Sequence, residues 1–132
     1  MPARLILLIN HDASIGEVIR VCLMHLAGWD VISVGLYQTD LETLVQERPD
    51  AILVDAFLPK INGLGFIQGL FIQKLQKTQI TQSVPILLMT DKADWFTVEQ
   101  LRSLGIEGAI AKPFDPKTLP TQIARILGWE RG

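Results

Sequence analysis

The 132-residue chain is short of several things that would commit it to a class. It has one cysteine, Cys22, so no disulfide can form within it, and on an apolar helical stripe that thiol reads as core filler rather than as nucleophile or redox sensor. Long hydrophobic runs are also missing. The uninterrupted apolar segments, Leu5 to Ile9, Ala51 to Val54 and Ile86 to Met89, fall far below the roughly 18 residues a membrane span needs. The first is too short for a signal-peptide core and has no small-residue cleavage site after it, so the expected location is the cytoplasm. Charge of one sign is lacking too: 12 basic against 14 acidic residues give a formal net charge of -2, with no Lys/Arg cluster to grip a phosphate backbone. Neither nucleic acid nor a membrane is an expected partner. There is no internal repeat, linker or low-complexity tract.

What the sequence does hold is core. At 48% hydrophobic and 20% charged, with 10 glycines and 7 prolines, it has the make-up of one globular domain spanning residues 1–132. Five short apolar segments recur: Leu5 to Ile9, Val31 to Val34, Ala51 to Val54, Ile86 to Met89 and Ala109 to Ala111. Each precedes a stretch with helical spacing. Continuous rather than alternating hydrophobicity predicts strands covered on both faces, the condition of a parallel sheet between helices.

The first helix is expected to carry Ile15, Val18, Ile19, Cys22, Leu23 and Leu26 inward and to end before Gly28. Others are expected over Thr39 to Glu47, from Gly63 to about Lys77, and from about Asp94 to Ser103. The last opens at Asp115-Pro116, with Pro120 either kinking it or delaying its proper start to about Thr118. The predicted fold is a doubly wound α/β domain.

In open parallel sheets the functional crevice lies beyond the carboxyl ends of the strands, which draws attention to the polar residues there. They are Asn10, His11 and Asp12 after the first strand, Asp55 at the end of the third, Thr90 at the end of the fourth and Lys112 after the fifth. A carboxylate, a hydroxyl and an ammonium brought together suit phosphoryl chemistry, as nucleophile, hydrogen-bond donor and counter-charge. No Gly-rich phosphate loop follows the first strand, and no Cys or Ser nucleophile has a positioned base, which argues against a small flavodoxin-like binder or enzyme.

At these residues the sequence resembles the receiver domain of two-component response regulators, the CheY-like superfamily, over nearly the whole chain. Asp55-Ala-Phe-Leu58-Pro59 followed by Asn62-Gly63-Leu64 is similar to the phospho-acceptor segment. Pro85 to Thr90 resembles the fourth-strand motif that ends in the switch hydroxyl, and Lys112-Pro113-Phe114 the signature after strand five. The spacing agrees, with 15 residues from Thr90 to Gly105 and 22 from Thr90 to Lys112.

The resemblance implies five strands in flavodoxin-like order 2-1-3-4-5 with five helices, and a phosphorylation switch in place of an enzyme. Asp55 would accept the phosphoryl group from a histidine kinase or phosphotransfer protein, with Mg²⁺ held by acidic residues after strand one. Thr90 would bond the phosphoryl oxygens, and Lys112 would neutralise charge, with its bond to Pro113 expected to be cis.

Four positions depart from that pattern. Where the family has an acidic pair stand Asn10 and His11, and imidazole is a poor substitute for carboxylate toward Mg²⁺, so binding should be weakened or lost. Any metal contact would fall to His11, Asp12 and Asp55. Asp12 reads as the cap of the first helix or as partial compensation in the pocket, and His11 as a loop imidazole, a Zn²⁺ or Mn²⁺ ligand or a pH-sensitive cation beside Asp55. Asp91 follows the switch hydroxyl where a small residue usually leaves room, and would crowd and repel a phosphoryl dianion, or else cap a turn. Ala109 stands at the position of the family's switch aromatic.

The expected protein is a stand-alone receiver with an altered acidic pocket, phosphorylated weakly or atypically and acting through protein contacts; an ordinary phosphorylatable regulator is the alternative. Excess apolar residues over Leu64 to Leu75 and at Trp95, Phe96, Val98 and Leu101 suit either better packing or a docking surface for an output protein, around helix four, strand five and helix five, with a homodimer as a further option.

Overall fold

The computed structural model describes residues 3–10, 12–35, 48–55, 84–91, 93–103 and 105–129. Five strands form one parallel sheet: β1 (Leu5–Asn10), β2 (Asp30–Gly35), β3 (Ala51–Asp55), β4 (Ile86–Thr90) and β5 (Gly108–Ala111), in the order β2-β1-β3-β4-β5. The order is the expected one, and every strand includes the apolar segment that announced it. The first, third and fourth each run one residue further, so that Asn10, Asp55 and Thr90 are the last residues of their strands.

Side chains alternate between the faces of a sheet, and here each face has its own core. Ile6 and Leu8 of β1, Ala51 and Leu53 of β3, Leu87 and Met89 of β4 and Ile110 of β5 pack against α1 (Ala13–Ala27) and α3 (Leu119–Leu127). On the other face Leu7, Ile9, Ile52, Val54, Ile86 and Leu88 meet Leu101 of α2 (Val98–Ser103) and Ile106. β3 and β4 are buried at every position, which is why they read as unbroken apolar runs.

The helix ends follow local chemistry. α1 stops at Gly28, whose φ of 71° lets its N–H and that of Trp29 turn back to the last carbonyls. Of its expected stripe, Ile19, Cys22 and Leu23 are buried, but Val18 and Leu26 are more than half exposed.

The segment expected to be helical from Asp94 is a 3-10 turn over Ala93–Trp95, and the α-helix starts only at Val98. Thr97 and Gln100 set that start as a capping box: Gln100 N–H donates to Thr97 Oγ1 at 3.0 Å, and Thr97 N–H to Gln100 Oε1 at 2.9 Å. Likewise Asp115 Oδ1 accepts from Lys117 N–H in a turn, and α3 begins at Leu119 after Thr118. Pro120 then falls in the first helical turn, where its missing N–H costs nothing, so it neither kinks nor breaks the helix.

At the pole away from the strand ends, Trp29 and Trp129 meet edge to face at 5.4 Å between ring centres, and the Arg4 guanidinium lies 4.2 Å over Trp129. These contacts tie the exit of α3 to the starts of β1 and β2. No described helix is long and apolar enough to cross a membrane. The segments 39–47 and 63–77, expected to be helical, lie outside the described residues, as does the apolar excess over 64–75.

Cys22 is buried against the sheet, its thiol donating to the Pro116 carbonyl at 2.8 Å. Burial, and then the nearby Asp115 charge, push that thiol above its ordinary value, so the nucleophilic thiolate is disfavoured at any neutral pH. Iodoacetamide at pH 8 should therefore label the native protein at least tenfold more slowly than the urea-unfolded chain. Equal rates in mass spectrometry would contradict the buried placement.

Candidate functional site

Strand alternation decides which polar residues meet. Asn10 continues the series Ile6 and Leu8, and Asp55 continues Ala51 and Leu53, so both belong to the face covered by α1 and α3. Lys112 follows Ile110 in the same phase, and Asp91 follows Met89. Thr90 terminates the other phase, next to Asp55 across the edge, since Asp55 pairs with Met89. The ladder between β4 and β5 runs on one step, with Lys112 N–H donating to the Thr90 carbonyl at 2.9 Å.

The centre of the site is an ion pair. Lys112 Nζ lies 2.6 Å from Asp55 Oδ1, with the Asp55 side chain fully buried and that of Lys112 only 9% exposed. The Lys112-Pro113 bond is cis, as expected. Burying a charge is costly unless a partner stands against it, and this pair meets that condition by bringing together residues 57 apart. Thr90 is wholly buried beside it and its hydroxyl donates to Asp91 Oδ1 over 3.4 Å, at the long end of the hydrogen-bond range.

The β1 end of the site is neutral. Asn10 is 6% exposed, and its Nδ2 donates to Ser33 Oγ on β2 at 2.7 Å. Gly16 of α1 leaves space for both: a Cβ there would lie 2.8 Å from Asn10 Nδ2 and 2.9 Å from Ser33 Oγ. Ser33 and Gly16 were not among the residues the sequence pointed to. The available signal was a glycine inside an otherwise regular helix, where it costs about 1 kcal/mol against alanine and so implies a close approach.

Asp12 is exposed and caps α1, its Oδ1 accepting from Ser14 N–H at 2.8 Å and Ile15 N–H at 3.4 Å. Ala109 is half-buried and packs with Phe96 against the core on the α2 face. His11, and the Leu58-Pro59 and Asn62-Gly63-Leu64 segments, lie outside the described residues.

Among the described residues these donors fall short of the shell of a hard divalent cation, which takes about six oxygens with carboxylates among them. The Asp55 carboxylate is held by an ammonium, the Asn10 amide nitrogen is turned to Ser33, and Asp12 is committed to helix N–H groups. Among the described residues no group of three or more His, Cys, Asp or Glu side chains could hold a metal ion.

A buried carboxylate, a lysine and a threonine hydroxyl at the carboxyl edge of a 2-1-3-4-5 sheet invite comparison with known families. The family model described as response regulator receiver domain matches residues 6–124. The chain belongs to that family. Receiver domains are regulatory modules of two-component systems; they interact with histidine kinases and output domains, and they typically use Mg²⁺ for phosphorylation.

This receiver domain is 28% identical over 127 residues to the phosphate regulon transcriptional regulatory protein PhoB of Pseudomonas aeruginosa, covering 96% of this chain and 53% of the relative. It is 30% identical over 122 residues to the alkaline phosphatase synthesis transcriptional regulatory protein PhoP of Bacillus subtilis, covering 92% and 48%. The chain thus spans about half the length of these curated relatives. Among solved structures, a response regulator from Desulfuromonas acetoxidans matches with a TM-score of 0.72 at 25% identity, covering 96% of this chain and 98% of that one. The chemotaxis response regulator CheY4 of Vibrio cholerae shares the fold, with a TM-score of 0.71 at 23% identity and coverage of 95% and 99%.

Proposed function

We propose that this receiver domain serves phosphorelay signalling with Asp55 as the phospho-acceptor, in a pocket whose neutral β1 end makes phosphorylation weak and shifts the burden of signalling onto protein contacts. The observation that carries this reading is the buried Asp55–Lys112 pair beside Thr90. A carboxylate oxygen of Asp55 attacks the phosphorus of a phosphohistidine on the donor protein. The P–O bond to Asp55 forms as the P–N bond breaks, and the imidazole leaves with a proton from solvent. Lys112 offsets the charge gathered on the phosphoryl oxygens, and the Thr90 hydroxyl turns from Asp91 to bond one of them.

Two features oppose an ordinary switch. Asp91 stands on the hydroxyl that the phosphoryl group needs, and its charge repels a dianion. With alanine at position 109, packed against the core on the α2 face, an aromatic swing there has no side chain to perform it. A surface read by a kinase or phosphotransfer protein, and by an output protein around α2, β5 and α3, then carries the signal.

The test is a titration with beryllofluoride and Mg²⁺ followed by amide NMR. Saturable shifts confined to the surroundings of Asp55, Thr90 and Lys112, absent in Asp55→Asn, support the acceptor role; silence at millimolar Mg²⁺ sinks it and leaves an interaction module independent of phosphorylation. His11→Asp combined with Asp91→Ala is expected to strengthen the response at least tenfold. A double variant as inert as its parent would place the defect elsewhere.

A further inference from the structure

Asn10 stands between two strands of different chemistry, with Ser33 of β2 on one side and Asp55 of β3 on the other. Directly across from it in register is Gly35, which offers no side chain, and the amide leans back one pleat to Ser33, the partner of Leu8. From above, Gly16 of α1 presses close enough that even a methyl group would collide with both Asn10 and Ser33. The Asn10 amide therefore lies close under Gly16, its nitrogen fastened to a hydroxyl at 2.7 Å. A side chain that is 94% buried, hydrogen-bonded across strands and enclosed on the helix side is held in one orientation.

We propose that Ser33 acts through Asn10 as a positioning residue for the pocket at Asp55: its hydroxyl, with the Gly16 slot, holds the neutral amide against β2, so that residue 10 lends little to a divalent cation beside Asp55 and Lys112 remains the chief counter-charge. The proposal rests on reading Asp55 as the functional carboxylate. Its consequence reaches beyond the identity of residue 10. A serine hydroxyl both accepts and donates, so in Asn10→Asp it turns and donates to the new carboxylate, keeping that charge on the β2 side. One substitution therefore gives a carboxylate that is still tied down. Removing the hydroxyl as well releases it toward Asp55.

The experiment is a Mn²⁺ titration monitored by paramagnetic broadening of amide resonances. The parent broadens only weakly around Asp55 and stays short of saturation with Mn²⁺ alone at millimolar concentration, and Asn10→Asp binds at least tenfold more tightly. Asn10→Asp with Ser33→Ala binds about tenfold more tightly again, while Asn10→Asp with Ser33→Thr, which keeps a hydroxyl, does not. In parallel, the Asn10 side-chain NH₂ resonance reports the hold itself: one proton shifted downfield and protected in the parent and in Ser33→Thr, and neither in Ser33→Ala or Gly16→Ala. Equal Mn²⁺ affinity at Asp55 in the parent and in Asn10→Asp, equal affinity of the charged variants with and without the Ser33 hydroxyl, or an Asn10 NH₂ signal indifferent to Ser33→Ala would each overturn the proposal. Broadening remote from Asp55 in the charged variants would instead defeat the Asp55 reading, and the Asn10 signal would still decide whether Ser33 holds the amide. Should Asn10→Asp fail to fold, the Ser33→Ala and Gly16→Ala spectra decide the matter alone.

Discussion

Replacing Lys112 with methionine is expected to lower the unfolding free energy by about 3–5 kcal/mol at pH 7, measured by urea denaturation. The apolar stem of lysine and a methionine side chain fill similar space, so the change removes charge rather than volume. What it removes is the ammonium 2.6 Å from a carboxylate with no solvent exposure.

Asp55→Asn added to Lys112→Met should restore at least half of the loss, because a buried amide has a far smaller desolvation cost than a buried carboxylate. The same cycle separates stability from signalling, since the double variant keeps the fold and lacks the proposed phospho-acceptor. If Lys112→Met alone costs less than about 1 kcal/mol, the pair behaves as an exposed one and the buried geometry is wrong.

The strands were legible because β3 and β4 are sealed on both faces and so leave unbroken apolar runs. Asp55 and Thr90 end their strands as expected, but the end of β1 was less legible: Asn10 continues the hydrogen-bond ladder after hydrophobicity has ended, and a polar letter does not say whether the backbone is still paired. Helix starts depended on choosing among cap residues. Asp94 and Thr97 both qualify, and Thr97 won because Gln100 completes a reciprocal box three residues later, a pattern visible in the sequence. Val18 and Leu26 obey the helical period yet face outward, since period gives the direction of a residue and not whether anything lies there.

At the site, motif and spacing brought out Asp55, Thr90 and Lys112, each the polar end of an apolar strand or the residue after it. Asp12 was ambiguous between cap and pocket ligand because one carboxylate suits either, and only the bonds to Ser14 and Ile15 N–H distinguish them. The Asn10–Ser33 contact was out of reach altogether. It joins residues 23 apart through strand register, and register is a property of the assembled sheet.

Leu53→Ala tests how far the pocket depends on the packing beneath it, and a loss of about 2–5 kcal/mol in urea denaturation is expected. Leu53 is 1% exposed on the middle strand of the sheet, flanked by β1 and β4 and covered by the α1 and α3 face. Truncation there opens a cavity that main-chain movement cannot close, because β3 is hydrogen-bonded on both sides. Val18→Ala on α1 is the control: the side chain is 51% exposed, and its loss should stay within about 0.5 kcal/mol.

Leu53 also lies two residues before Asp55 on the same face, directly under the ion pair. A loosened strand end lets the pair separate and admits water to it, so Lys112 should be worth less in the Leu53→Ala background than in the parent. The combined loss of Leu53→Ala and Lys112→Met should therefore fall short of the sum by more than about 0.5 kcal/mol. Strict additivity would mean that the buried pair is held by the strand ends alone, with no help from the core below.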